Sequence, residues 1–393
     1  MNSLPLLLLK PQALKRLKTG HPWIFSNELV SVPRTLEPGV LVDIRLRTGG
    51  FFGRGYFNPR SLISVRLLSR ENVPIDEAFL EARISRAQAL RETRLPGQTA
   101  YRLIYGEADG LPGLIVDRYG SVLVAQFLTA GMDRLSGIVN AILCRRFNPS
   151  AVIARNDSSS RTLEGLPVEK HMLHGEVSSP PVIQKNGLSF EVDVWEGQKT
   201  GFFLDQSDNY RLLEGKVAKA RVLDAFCYTG AWGLHAARYG ASHVLEMDSS
   251  ERAILQAQSH FERNGFAAVG AFVREDVFDG LRRLGASGER FDMIILDPPA
   301  FAKSRQKLKE AIRGYKEVNR QAMRLLSPGG TLITCSCSHL VSNEMFRNML
   351  VDASADTGRS FVITAWRTQG PDHPVVLGIP ETEYLRCVEL RMV

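Results

Sequence analysis

The chain has 393 residues, 44% of them hydrophobic and 23% charged, the composition of a soluble globular protein long enough for two or three domains, with no repeat or low-complexity stretch. Its five cysteines are an odd number and follow no secretion signal, which argues against a disulfide framework and leaves reduced thiols, one of them available as a nucleophile. The formal charge of +7 is unevenly placed: residues 1–70 hold 11 Lys or Arg against 3 Asp or Glu (+8), and the remainder 38 against 39 (−1), so the surplus reads as the footprint of a phosphate-binding module.

The leucine-rich start, Leu4 to Leu9, is too short for a signal peptide and is broken by Pro5, so a buried first strand is expected there. No run of about 18 apolar residues occurs, so no membrane span is expected and the protein is expected in the cytoplasm. A helix is expected over Pro11–Lys18, with Lys15, Arg16 and Lys18 exposed. Alternating runs at 41–47 and 62–68, separated by Pro38-Gly39, Gly49-Gly50 and Asn58-Pro59, predict a small barrel or curled sheet. This gives a first domain over 1–71.

A second, mixed α+β domain is expected over 72–186. It has an amphipathic helix over 76–94 capped by Asp76, a hairpin of Leu114–Val116 with Val122–Ala125, a helix over 133–146 and a strand over 151–154. Residues 155–186, rich in Ser, Pro and Gly, read as a linker with a short hairpin. From 187 to 393 strand-like and helical runs alternate. Strands at 222–226, 243–247, 270–273, 293–296, 331–334, 361–365 and 384–390 predict a doubly wound, Rossmann-like α/β sheet of seven strands. The last two should pair as a hairpin, leaving the final strand antiparallel.

Chemistry concentrates in this third region. The first strand runs through Asp224, Phe226, Tyr228, Thr229 and Gly230 into a helix, a strand–glycine turn–helix pattern without the G-x-G-x-x-G of a dinucleotide site. An acid inside the turn suits an amine-bearing ligand, which favours S-adenosylmethionine. Asp248 ends the second strand, where a carboxylate accepts from ribose hydroxyls. Asp276 follows the third, where it can take the adenine amine, with Val277 or Phe278 against the ring. Each acid alone reads equally as a helix cap. After the fourth strand, Asp297-Pro298-Pro299 forms a rigid loop. After the fifth come Cys335 and Cys337, too few for a zinc site, so no metal is expected. A thiolate adding to carbon 6 of cytosine or uracil makes carbon 5 nucleophilic, and a neighbouring acid such as Asp297 stabilises the adduct. Cys337 is the expected nucleophile, with Cys335 buried.

These residues resemble the bacterial 23S rRNA cytosine-C5 methyltransferases over nearly the whole chain. The resemblance rests on His21-Pro22-Trp23-Ile24-Phe25-Ser26, on the run from Glu107 to Arg118, on the run from Gly197 to Gln206, and on Ser336-Cys337-Ser338. It implies an N-terminal PUA domain that binds RNA, with Lys15, Arg16, Lys18, His21, Trp23 and Arg54 as its contacts. It also implies a methyltransferase domain in which Thr200, Phe202 and Gln206 join the acids, Asp297 included, around S-adenosylmethionine. It further implies a homodimer acting on 23S rRNA with Cys337 as nucleophile. The sequence departs from the family pattern at Ser207, Ala300 and His339, on the substrate side. Two alternatives stand beside this reading: an N-methyltransferase using the Asp-Pro-Pro loop on an exocyclic amine, and a non-catalytic RNA-binding assembly factor.

Overall fold

The computed structural model describes residues 4–33, 35–302 and 304–393. The chain divides into two compact units: Met1–Gln184 with Glu191–Leu204 and Pro371–Thr382, and Lys185–Phe190 with Asp205–Gly370 and Glu383–Val393. The expected boundary at 71 lies inside the first compact unit, and the one at 186 falls within Lys185–Phe190 of the second. The first two expected domains fall in one unit, and two later stretches return to it.

In the first unit, β1 (Leu6–Leu9) is half-buried, with Leu7 and Leu9 inside and Leu6 and Leu8 outside, so it is an edge strand and not a fully buried one. A 3-10 turn and α1 (Leu14–Leu17) follow. Then come β2 (Trp23–Ile24), β3 (Leu41–Leu46), β4 (Phe51–Phe57) and β5 (Val65–Ser69), giving a sheet of order β1-β3-β4-β5-β2. Helix α2 (Glu77–Arg94) starts where Asp76 accepts from the Phe79 amide at 3.0 Å, as its N-cap spacing predicts. Next are β6 (Ala100–Tyr105), β7 (Leu114–Tyr119), β8 (Val122–Phe127), α3 (Ala130–Arg134), α4 (Ser136–Phe147), β9 (Ala151–Asn156), α5 (Ser160–Glu164) and β10 (Glu169–Gly175), with sheet order β10-β9-β8-β7-β6.

The expected linker is thus largely structured. Its polar residues are anchors: Arg161 is fully buried and donates to the Phe127 carbonyl and to Asp133. Buried polar groups also hold the returning stretches. Arg155 donates to the Val194 and Gly197 carbonyls, both at 2.9 Å, and Arg91 to the Asp372 carbonyl at 2.9 Å. The Tyr56 hydroxyl donates to the Pro112 carbonyl at 2.6 Å, tying the N-terminal sheet to the central one. A buried donor left without such a partner costs about 1–3 kcal/mol, so these bonds decide where the stretches lie.

A hairpin of β11 (Val182–Lys185) and β12 (Leu188–Glu191) precedes the second unit. There β13 (Arg221–Ala225), α6 (Ala231–Arg238), β14 (His243–Asp248), α7 (Glu251–Arg263), β15 (Gly270–Arg274), α8 (Val277–Ala286), β16 (Phe291–Leu296), α9 (Leu308–Leu325), β17 (Leu326–Ser336), α10 (Asn343–Ala355), β18 (Phe361–Arg367) and β19 (Arg386–Met392) form the seven-stranded sheet β15-β14-β13-β16-β17-β19-β18. Only β19 is reversed, antiparallel to both β17 and β18. Strand order changes direction between β13 and β16, so a crevice opens at their carboxyl ends, where open α/β sheets bind ligands.

Candidate active site

The turn after β13 carries backbone strain. Phe226 (φ 64°), Tyr228 (φ 50°) and Gly230 (φ 75°) alternate in the left-handed region, which only the glycine enters without cost. Bonds to β14 hold the turn there: the Cys227 amide donates to the Met247 carbonyl at 3.1 Å, and the Tyr228 amide to Asp248 Oδ2 at 3.0 Å. Asp248 thus does two jobs. It ends β14 half-buried at the crevice, and it clamps the turn.

Asp224 is fully buried, and its Oδ2 accepts from the Gly233 amide at 2.9 Å. Asp224 thus supports α6 from behind through Oδ2. Beside it across the ladder sits Glu246, also fully buried, a residue the sequence reading missed. A Cβ on Gly233 would come within 1.7 Å of Glu246 Oε1, so glycine is required there. Burial lifts the Asp224 carboxyl to about 7 and Glu246 well above the usual carboxylate range. The signal for Glu246 was a lone acid inside the apolar run of β14.

Several other assigned residues are buried as well. Thr200 is fully buried and belongs to the first unit, where its hydroxyl donates to Asp117 at 2.5 Å and bonds the Tyr119 hydroxyl at 2.8 Å. Phe202 lies in the same unit and is buried. Thr229, Gly230 and Val277 are buried, Val277 in the core beside Leu281, so the half-buried Phe278 is the ring that remains for adenine. Asp276 is exposed, and its Oδ1 caps α8 by accepting from the Phe278 and Asp279 amides. The cap reading is realised there, alongside a position at the end of β15.

Asp297 and Cys337 come together. Gln206 Nε2 (2.9 Å) and Trp232 Nε1 (3.2 Å) both donate to Asp297 Oδ2, and Asn209 holds Gln206 in turn at 2.7 Å. Gln206 is therefore buried behind the carboxylate as its positioning residue. The Cys337 thiol donates to the Pro298 carbonyl at 3.9 Å, against the same Asp-Pro-Pro loop. Cys337 is half-buried, whereas Cys335 is fully buried opposite Cys387, and burial pushes its thiol well up. Around the nucleophile, Ser338 bonds the Tyr315 hydroxyl at 3.0 Å, and Arg386 donates to the Ser338 carbonyl at 3.2 Å. His339 lies 5.2 Å from the Tyr384 ring. Of the other departures from the family pattern, Ser207 is buried and Ala300 half-buried.

These residues fit S-adenosylmethionine. Asp248 presents a half-buried carboxylate at the strand end. Phe226 and Phe278, both half-buried, lie 6.2 and 6.1 Å from the core-packed Phe301 and offer apolar faces for a planar base. Asp248→Ala should raise the dissociation constant for S-adenosylmethionine about tenfold or more, because a charge-assisted hydrogen bond contributes roughly 1.5–3 kcal/mol and the turn loses its clamp. Calorimetry checks this; an unchanged constant would move the pocket elsewhere.

The residues assigned to RNA divide sharply. Lys15 and Lys18 are exposed. Arg16 is tied to Glu28 (2.6 Å) and the Trp23 carbonyl, and Arg54 to Asp43 (2.7 Å) and the Val73 carbonyl. His21 is 3% exposed, between Arg16 and Glu381, and Trp23 Nε1 donates to Glu107 at 2.8 Å. These four side chains are engaged within the first unit, whereas Lys15 and Lys18 are not buried.

No helix among the described residues is long and apolar enough to cross a membrane. Residues 7–70 match the model of the PUA-like domain family, and residues 154–376 that of the S-adenosylmethionine-dependent methyltransferases. The chain is 41% identical over 390 residues, 98% of each protein, to ribosomal RNA large subunit methyltransferase I of Shewanella amazonensis. It is 39% identical over 383 residues to the protein of the same name from Pseudoalteromonas atlantica, covering 96% of this chain and 97% of that one. Among solved structures, a SAM-dependent methyltransferase from Streptococcus mutans superposes with a TM-score of 0.85 at 22% identity, over 99% of this chain and 100% of that one. The strand order with its reversed β19 is the Rossmann-like methyltransferase fold, and the chain belongs to the S-adenosylmethionine-dependent methyltransferases, within them to the ribosomal RNA large subunit methyltransferase I family.

Proposed function

We propose that the protein methylates carbon 5 of a cytosine in large-subunit ribosomal RNA through a covalent adduct with Cys337. The observation that carries this is the Cys337 thiol set against the Pro298 carbonyl, next to an Asp297 carboxylate anchored by Gln206 and Trp232. The relatives' names support the RNA, and the PUA-like match supports an RNA-binding N-terminus. The thiolate of Cys337 forms a bond to carbon 6, and the electron pair of the 5,6 double bond becomes available at carbon 5. Asp297, fixed in orientation, accepts from the exocyclic N4 amine and holds the ring edge-on to the thiol. When bound, S-adenosylmethionine supplies the electrophilic methyl group that carbon 5 takes up. Loss of the carbon 5 proton then restores the double bond and releases the thiolate.

An exocyclic-amine reading would need an aromatic platform at the Asp-Pro-Pro loop. Phe301 instead turns onto Tyr315, with centroids 4.6 Å apart, and packs against the core. The test is product analysis. Large-subunit RNA, free and in subunit particles, is incubated with the protein and methyl-labelled cofactor, digested to nucleosides and resolved by mass spectrometry. Label in 5-methylcytidine is expected. Label in N4-methylcytidine, or none in either substrate, would overturn the proposal.

A further inference from the structure

At the opposite end of the second unit's sheet lies a groove of about 480 Å³ between α8 and α9. Arg290 immediately precedes β16, Arg324 sits in the last turn of α9 before β17, and Arg359 precedes β18. The groove therefore opens at the amino ends of β16 and β17, away from the crevice that holds Asp297 and Cys337. Its lining holds five arginines, Arg282, Arg290, Arg320, Arg324 and Arg359, against one carboxylate, Glu317.

Two of these cations are neutralised locally, Arg282 by Asp279 and Arg320 by Glu317 at 2.7 Å. Among the described residues the other three donate to backbone carbonyls. Arg290 donates to the Glu289 carbonyl (2.7 Å), Arg324 to the Asp356 carbonyl (3.3 Å), and Arg359 to the Met323 carbonyl and the Leu326 carbonyl (3.1 Å). Nearby carboxylates are committed elsewhere: Glu289 to Arg221 at 2.6 Å and Asp356 to Lys316 at 2.9 Å. Burial first, and then the charges of Arg290 and Arg324, hold the Arg359 guanidinium below its ordinary pKa, while Arg324 also shares the field of Glu317.

Helix termini explain part of this. Arg359 caps the final carbonyls of α9, where a cation offsets the helix dipole. Arg324, in the last turn of α9, donates to the Asp356 carbonyl at the C-cap of α10, yet it remains exposed, as does Arg290. We propose that this groove grips the phosphate backbone of the RNA substrate, as a docking site in the methyltransferase unit separate from the reacting crevice. Guanidinium groups suit the task because their paired N–H donors match phosphate oxygens. The inference rests on the reading that RNA is the substrate.

The test uses the full chain carrying Arg290→Gln and Arg324→Gln, with Arg359 left in place as the α9 cap. Binding of a large-subunit RNA fragment is measured by anisotropy from about 50 to 300 mM salt. The variant's log–log salt slope should be smaller by about 1.4–1.8, for two lost phosphate contacts, and its dissociation constant near physiological salt roughly tenfold higher. S-adenosylmethionine affinity, measured in parallel, should be unchanged. A variant that reproduces the wild-type slope and affinity makes the groove a solvated face and overturns this proposal alone. A wild type that binds and methylates no RNA sinks the functional reading and this one together. Tripolyphosphate serves as a probe for a free anion: if it binds through these arginines while the RNA slope stays the same, the groove is a small-anion site and the RNA assignment fails.

Discussion

Cys337→Ala should lower methyl transfer to background, a loss on the order of a thousandfold or more, as expected when a covalent nucleophile is removed. S-adenosylmethionine affinity should stay within about twofold, since the thiol donates to the Pro298 carbonyl of the substrate-side loop. Cys335→Ala is the matched control. Its thiol is buried between β17 and β19 beside Cys387, so that variant should keep its rate and show only a stability loss of about 1 kcal/mol. Initial rates with large-subunit RNA, calorimetry with the cofactor and thermal melts read the three quantities separately. Substantial turnover by Cys337→Ala would end the thiolate mechanism and restore the exocyclic-amine reading, which needs no thiol.

The contrast between these two cysteines was legible from the resemblance carried by Ser336-Cys337-Ser338 and not from strand alternation, which points residues two apart the same way. Positions 335 and 337 share a parity, but 337 lies beyond Ser336, where β17 ends and its chain turns to the crevice. The seven strands were legible because each is a short apolar run bounded by polar or glycine residues, and no long helical pattern lies between the last two. What was not legible depended on contacts far apart in sequence. No local pattern announces that Arg91 reaches the Asp372 carbonyl, 281 residues away, or that Arg155 recruits the segment at 194–197. Those bonds moved the domain boundaries and turned an apparent linker into strands and a helix. Charge counting found the basic surplus of the first 70 residues, which already nets out Glu28 and Asp43, but not which basic side chains those acids pair with. Arg16 and Arg54 spend their charge on Glu28 and Asp43, leaving Lys15 and Lys18 at the surface. Asp224 was legible as an acid in a ligand-binding turn; its full burial beside Glu246 is a property of the ladder between β13 and β14.

Covalent trapping tests the proposed chemistry most directly. If Cys337 adds to carbon 6, protein and RNA are one molecule until the carbon 5 proton leaves. Fluorine at carbon 5 cannot leave as a cation, so RNA carrying 5-fluorocytosine should accumulate an adduct that survives a denaturing gel, and only when S-adenosylmethionine is supplied. The target base must leave its stack for a half-buried thiol to reach carbon 6, a step costing a few kcal/mol in a duplex and less in a loop or junction. Loop-containing RNA should therefore trap more than a perfect helix. Asp297→Asn keeps the shape of the side chain but replaces one carboxylate oxygen by an amide donor. It sets a donor against either Gln206 Nε2 and Trp232 Nε1 or the N4 amine. Adduct yield should fall by about tenfold or more, because the loss of a charged acceptor is worth roughly 1.5–3 kcal/mol. Cys337→Ser should give no adduct at all, since a hydroxyl is neither ionised nor nucleophilic enough at neutral pH without a base beside it. A serine variant that still traps fluorinated RNA, or a wild type that methylates normal RNA yet never traps, would show that carbon 6 is not attacked by Cys337.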